Sequence, residues 1–327
     1  MRPPSELDVI RQIRAGAVPS RLVPLGIGDD CAVLRPAAGQ DVVVTTDFTL
    51  EGRHFRRDTH SAESAGHRTL ARGLSDLAAM GAKPLAAFLS LALPKELLTT
   101  AAGRRWFARY LSGLQALAAG SGVTLAGGDT AQSPSSHILA DIVLTGTTPR
   151  GRALRRSTAR AGDLIYVTGS LGGAAAELQG LFARPTTRYS KGEHPQLFPQ
   201  PRLAVGQALI RRRIATACMD LSDGLSTDLT HLCEASGVSA EIAASDLPVH
   251  PLALAAEDSM ALALNGGEDY ELLFTASAAT RVPRRIAGVS VTRIGMIGPA
   301  SGKAAITLVE RDGRRRALDA RGWQHLV

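Results

Sequence analysis

The chain has 327 residues, too many for one ordinary hydrophobic core and enough for two domains. Hydrophobic residues make up 45% and charged residues 20%, a globular profile, and no apolar run approaches the ~20 residues that would span a bilayer. The net charge is +7, but only four of the 37 basic residues are lysine, the arginines are spread along the whole length, and aromatics total 4%. That pattern reads as a solvated basic surface suited to phosphorylated small molecules, not as a nucleic-acid face.

In chain order, Ser5 is placed to cap a short helix through about Ala15. Asp41 to Asp47 (DVVVTTD) reads as a buried strand ending in polar residues. Ser61 to Met80 has helical spacing at Leu70, Leu74 and Leu77, with Gly81 and Pro84 as stops. The apolar run LAAFLSLALP is a strand closed by Pro94, and a second helix covers about Ala101 to Ala119. VTLAGGDT and HILADIVLTGTT follow, the second as a strand. The basic stretch Thr148 to Gly162 lacks apolar periodicity and marks a domain boundary, giving units 1–148 and 149–327.

The second half opens with the strand DLIYVTGS and a helix that begins in the glycine-rich turn Gly169 to Gly173. That turn is a weak phosphate-cradle signal and reads equally well as a helix start packed tightly on a sheet. Residues 183–201 are polar and proline-rich, the composition of a mobile loop. A helix, the strand ATACMD, a helix from Asp223 and further alternation complete the pattern. The class is mixed α and β in two domains, and alternation alone also permits a doubly wound parallel sheet.

Cys31, Cys218 and Cys233 form no C-x-x-C pair, which argues against a disulfide framework or a zinc site and fits a reducing compartment. MRPPSELDVIRQIR has no apolar core of a signal peptide, so the expected location is cytoplasmic.

The chemically informative feature is a set of carboxylates beside glycine or hydroxyl residues at segment ends. They fall in Gly28-Asp29-Asp30, Thr45-Thr46-Asp47, Ser75-Asp76, Gly127-Gly128-Asp129, Asp220-Leu221-Ser222-Asp223-Gly224 and Gly266-Gly267-Glu268-Asp269. Clustered carboxylates repel one another, and a hard cation such as Mg²⁺ removes that cost. Glycine beside them lets backbone approach phosphate. Each piece also has a structural reading: a Gly-Asp turn, a Thr-Thr-Asp cap for the next segment, or Asp223 as a helix N-cap. Asp76 is harder to read that way, because a carboxylate late in a helix opposes the dipole. There is no G-x-x-x-x-G-K-[ST], no H-E-x-x-H and no G-x-S-x-G, and no protein-kinase set of motifs.

Together GIGDDCAVL (26–34), TTDFTLEGRHF (45–55), LSDLAAMGAKP (74–84), GGDT (127–130), GRALRRS (151–157), DLIYVTGSLG (163–172), MDLSDGLSTDL (219–229) and NGGEDYELLFT (265–275) resemble the thiamine-monophosphate kinase family, collinearly and over nearly the whole chain. The resemblance implies the two-domain α+β fold of the aminoimidazole-ribonucleotide synthase-related superfamily, not a Rossmann sheet. It implies a homodimer paired through N-terminal domains, with ATP and several Mg²⁺ ions near that interface. The implied reaction is ATP plus thiamine monophosphate giving thiamine diphosphate. By the same resemblance Asp30, Asp47, Asp76, Asp129 and Asp220 would bind Mg²⁺, helped by Thr45 and Thr46, and Asp223 would hold a further ion. Gly128, Asp129, Arg156 and Ser222 would contact ATP; His54, Glu268 and Trp323 would bind the thiamine phosphate. One departure is Gln132, where the family often has arginine. No general base is assigned, because the attacking phosphate oxygen, with a second pKa of about 6, is already anionic. The alternatives are a sister ATP-dependent synthetase acting on an amide oxygen, and a non-catalytic basic protein that binds nucleic acid.

Overall fold

The computed structural model describes residues 6–27, 31–189, 192–299 and 305–323. The chain divides into two compact units, Met1–Leu77 with Lys83–Gly151 and Leu181–Glu193, and Ala78–Ala82 with Arg152–Gly180 and His194–Val327. No helix among the described residues is long and apolar enough to cross a membrane.

The first unit contains α1 (Glu6–Ala15), β1 (Gln40–Leu50), α2 (Ala62–Ala79), β2 (Lys83–Leu93), α3 (Lys95–Thr99), α4 (Ala101–Ser121), β3 (Thr124–Gln132) and β4 (Leu139–Pro149). Its sheet runs β1-β4-β2-β3, antiparallel except for the β2/β3 pair. The β-branched run in β1 favours the pleated state. The ladder with β4 continues to Leu50↔Leu139, so Thr45-Thr46-Asp47 lie inside the strand and cap nothing. The Thr100 hydroxyl accepts the Gly103 N–H at the start of α4, and left-handed Gly122 ends it. Leu70, Leu74 and Leu77 of α2 and Phe107, Tyr110, Leu111 and Leu114 of α4 are buried, each leucine worth about 2 kcal/mol. Along β1, exposure alternates: Val42, Val44, Thr46 and Phe48 face outward, with Val44 and Phe48 64% and 62% exposed.

Residues Leu181–Glu193 belong to this unit. The Tyr189 hydroxyl donates to the Thr59 carbonyl (2.6 Å) and accepts the Ser61 N–H (2.8 Å), and the Arg56 guanidinium lies 5.6 Å from the Phe182 ring centre. A composition that suggests mobility is here anchored at the start of α2.

The second unit contains β5 (Leu164–Thr168), α5 (Gly173–Ala183), α6 (Leu203–Arg211), β6 (Ala217–Asp220), α7 (Leu225–Ser236), β7 (Ser239–Ala243), α8 (Pro251–Leu254), α9 (Ser259–Asn265), β8 (Leu272–Ala276), β9 (Arg285–Ile286), β10 (Val289–Gly298), β11 (Ile306–Val309) and β12 (Arg315–Ala317). The sheet order is β12-β11-β7-β10-β5-β8-β6, with β9 beside β10. Its pairs are antiparallel except β11/β7, so this is not the parallel sheet that alternation alone permits. One face packs Leu225, Leu229 and Leu232 of α7 and Leu264 of α9 against Ile165, Leu273 and Ile242. The other packs Val205 and Leu209 of α6 against Tyr166, Leu272 and Phe274. All five β8 residues are therefore buried.

Candidate active site

In the first unit, β1 and α2 share a spacing. Thr45 and Asp47, two apart on a strand, and Arg72 and Asp76, four apart on a helix, each span about 6–7 Å. The two pairs therefore match. Thr45 Oγ1 donates to Asp76 Oδ2, and Arg72 donates from Nε (3.2 Å) and Nη2 (2.9 Å) to Asp47 Oδ1. Thr46, on the opposite face, donates to Asp141 Oδ1 at 2.7 Å. Register places Phe48, Asp141, Ser90 and Asp129 in one row across the four strands. Asp129 is exposed and Oδ1 accepts the Thr130 N–H at 2.9 Å. Beside it, Gly128 has φ +142°, and a Cβ there would lie 1.9 Å from the Leu89 carbonyl oxygen, so only glycine fits. The structure thus gathers Thr45, Asp47 and Asp76 on the helix side of the sheet and Thr46 and Asp129 on its open side. Asp30 lies outside the described residues. His54 closes the turn after β1: its N–H donates to the Leu50 carbonyl, and Nδ1 accepts the Leu50 N–H, both at 2.9 Å. When neutral it carries its proton on Nε2.

In the second unit, β6 delivers Asp220 to a turn that leads into α7. Asp223 is not the N-cap of that helix; Gly224 is, at φ 103° with no capping side chain. The cap comes from inside the helix. Asp228, 1% exposed, accepts the Asp223 and Gly224 N–H groups at 3.0 and 3.1 Å. Burial, then the charges of Asp220 and Asp223, push the Asp228 carboxyl up to about 8. Ligand atoms of Asp223, Asp228 and His231 lie within 4.8 Å of one another.

Glu268 and Trp323 meet this turn through the backbone. The Glu268 N–H donates to the Ser222 carbonyl (2.8 Å), and the Trp323 N–H donates to the Asp223 carbonyl (2.9 Å). Residues 45 and 100 positions downstream of Asp223 thereby flank it. Glu268 holds a left-handed φ of 69°, and Oε2 accepts Gln196 Nε2 at 2.9 Å. Trp323 is 49% exposed, so it is no core anchor. Ser222 is half-buried, and Arg156 is exposed in a 3₁₀ turn whose carbonyl accepts the Ser236 hydroxyl.

The glycine-rich turn before α5 is filled by the protein itself. Asp269 accepts the Gly172 N–H (2.6 Å) and the Ala174 N–H (3.1 Å), so an internal carboxylate occupies the place a phosphate would take. Burial raises the Asp269 carboxyl to about 7 despite those donors, and Glu271 adds to the rise. Sequence reasoning missed Arg72, Asp141, Asp228 and Gln196 as partners. Asp228 lies five residues past Asp223 in the same motif, the one signal that was available.

Comparison with known proteins gives the family. Residues 28–148 match the AIR synthase related protein N-terminal domain, and residues 160–303 match the corresponding C-terminal domain. The fold and the two domain matches thus define a member of the AIR synthase related class. The thiamine-monophosphate kinase of Salmonella typhimurium is 40% identical over 320 residues, covering 94% of each chain. The structure of that kinase from Stenotrophomonas maltophilia K279a is 35% identical, covers 98% of each chain and superposes with a TM-score of 0.79. AaThiL, solved in complex with AMPPCP and TMP, is 29% identical, covers 98% of this chain and 97% of its own, and gives a TM-score of 0.75. The chain belongs to the thiamine-monophosphate kinase family.

Proposed function

We propose that the protein transfers a phosphoryl group from ATP to thiamine monophosphate, giving thiamine diphosphate. The observation that carries this reading is near-full-length likeness to a protein that binds an ATP analogue and TMP together. The acceptor oxygen is anionic at neutral pH, with a second pKa of about 6, so no base is needed and transfer is direct, without a phosphoenzyme. Catalysis rests on positioning and charge.

The donor set fits magnesium. Carboxylates and hydroxyls are hard oxygen ligands, and the charges of Asp220 and Asp223, which add to the effect of burial in raising Asp228, are a crowding that a cation would relieve. Asp30, Asp47, Asp76, Asp129, Asp220 and Asp223 would hold the ions. Bound Mg²⁺ supplies neutralisation of the phosphate charges. Thr45 orients Asp76, and Thr46 orients Asp141. Gly128 offers its backbone to the nucleotide, Ser222 and Arg156 offer a hydroxyl and a cation to its phosphates, and His54, Glu268 and the Trp323 ring receive the thiamine phosphate. An exposed aromatic face suits a cationic ring.

The working location is the cytoplasm, and the working unit is a homodimer. Val42, Val44 and Phe48 form an exposed apolar face of the first unit's sheet, of the kind that marks an interface. Phe48→Lys should shift the mass in light scattering from two chains to one; an unchanged dimer places the interface elsewhere. The function is tested by incubating protein with ATP, Mg²⁺ and thiamine monophosphate and separating the products by chromatography. Thiamine diphosphate that disappears with EDTA supports the reading. ATP consumption only with an amide acceptor moves it to a sister synthetase.

A further inference from the structure

The turn that carries Asp223 is held from two sides. From within, Asp228 takes the N–H groups of Asp223 and Gly224. From outside, residues 321–323 lie along the turn and the first turn of α7. The Trp323 N–H donates to the Asp223 carbonyl (2.9 Å), the Gly322 N–H to Thr227 Oγ1 (2.9 Å) and the Arg321 N–H to Ser226 Oγ (3.3 Å). The approach at Gly322 leaves no room for a side chain: a Cβ would fall 1.9 Å from the Asp223 carbonyl oxygen and 2.6 Å from Thr227 Oγ1. Asp223 thus has both its N–H and its carbonyl committed. A residue tethered at both ends of its backbone has its peptide planes held, and the direction of its Cα–Cβ bond is fixed with them.

We infer that Arg321–Trp323 is a positioning strap for Asp223, setting that carboxylate for a divalent cation in addition to presenting the Trp323 ring. This explains why glycine stands directly before the exposed tryptophan: the ring alone needs no such close approach. Supporting partners of a metal ligand typically govern affinity by about 10–100-fold. The inference rests on the proposed metal role of Asp223, and its test separates the two.

The experiment is Mn²⁺ binding to the full chain without nucleotide or substrate, read as free Mn²⁺ by electron paramagnetic resonance. Asp223→Asn should lose one site relative to the unsubstituted protein. Gly322→Val should weaken that same site by about tenfold. Thr227→Val, which keeps the side-chain shape and removes only the acceptor for Gly322, should weaken it about threefold, a lesser share of the same effect. Trp323→Ala, which keeps the main-chain N–H, should leave Mn²⁺ binding unchanged and raise KM for thiamine monophosphate. Gly322→Val and Thr227→Val that bind Mn²⁺ normally, beside an Asp223→Asn that does not, would overturn the strap. Should Gly322→Val fail to fold, Thr227→Val decides. Normal Mn²⁺ binding by Asp223→Asn removes the metal reading and the strap with it.

Discussion

In the first unit the acidic residues stand on a regular strand and helix and are held by other side chains, Asp76 by Thr45 and Asp47 by Arg72, while Asp129 is exposed on the sheet. In the second unit several of them instead tie the protein to itself. Asp228 ties down the Asp223 turn, Asp269 the start of α5, and Glu271 takes the Thr168 hydroxyl (2.6 Å) and the Arg202 guanidinium. A regular ladder satisfies its own amides, whereas turns and helix starts leave N–H groups open, and carboxylates near them are drawn into structure. A carboxylate in the first unit should therefore matter to activity more than to stability, and many in the second the reverse.

The largest stability effect is expected at Glu271, which is buried between Thr168 and Arg202. Glu271→Ala should cost about 3 kcal/mol in thermal unfolding, the lower end for a broken buried pair because Arg202 reaches solvent. A loss near zero would break the comparison at its strongest point. Asp269 comes next and has a pH signature. Its folded value, about 7, lies above the ordinary carboxylate value of about 4, so the folded state holds the proton more tightly. Stability from this group is complete below about pH 4 and is lost as pH rises to about 7, by up to roughly 1.4 kcal/mol per unit. Unfolding of Asp269→Asn should lack that slope; a slope identical to the unsubstituted protein would show that Asp269 is ionised throughout. Smallest is Asp129→Ala, which should change stability by no more than about 0.5 kcal/mol, since Asp129 is exposed and, among the described residues, its Oδ1 accepts from the adjoining Thr130 N–H alone.

The same contrast decides what could be read from sequence. Apolar periodicity located α2 at Ala62–Ala79 and α4 at Ala101–Ser121 to within two residues, because burying Leu70, Leu74 and Leu77 on one face leaves few alternatives. The motifs carried the family. Alternation did not settle the sheets: the direction of β10 against β5 and β7 depends on long-range pairing that no local pattern encodes. Within 183–201, composition cannot show one tyrosine hydroxyl bonding Thr59 and Ser61. The glycine-rich turn looked open to phosphate because nothing in the sequence says that Asp269, nearly a hundred residues later, will fill it. Arg72 was silent for a similar reason, since matching a strand's two-residue step to a helix's four-residue step requires the packing itself.

Turnover by Asp129→Ala is the most direct test, measured as thiamine diphosphate formed from ATP, Mg²⁺ and thiamine monophosphate, beside its thermal unfolding. A protein as stable as the original that has lost at least about 10²-fold in turnover is the predicted result. Turnover within tenfold of the original would mean that the open-face carboxylate serves neither metal nor nucleotide, and would contradict the account.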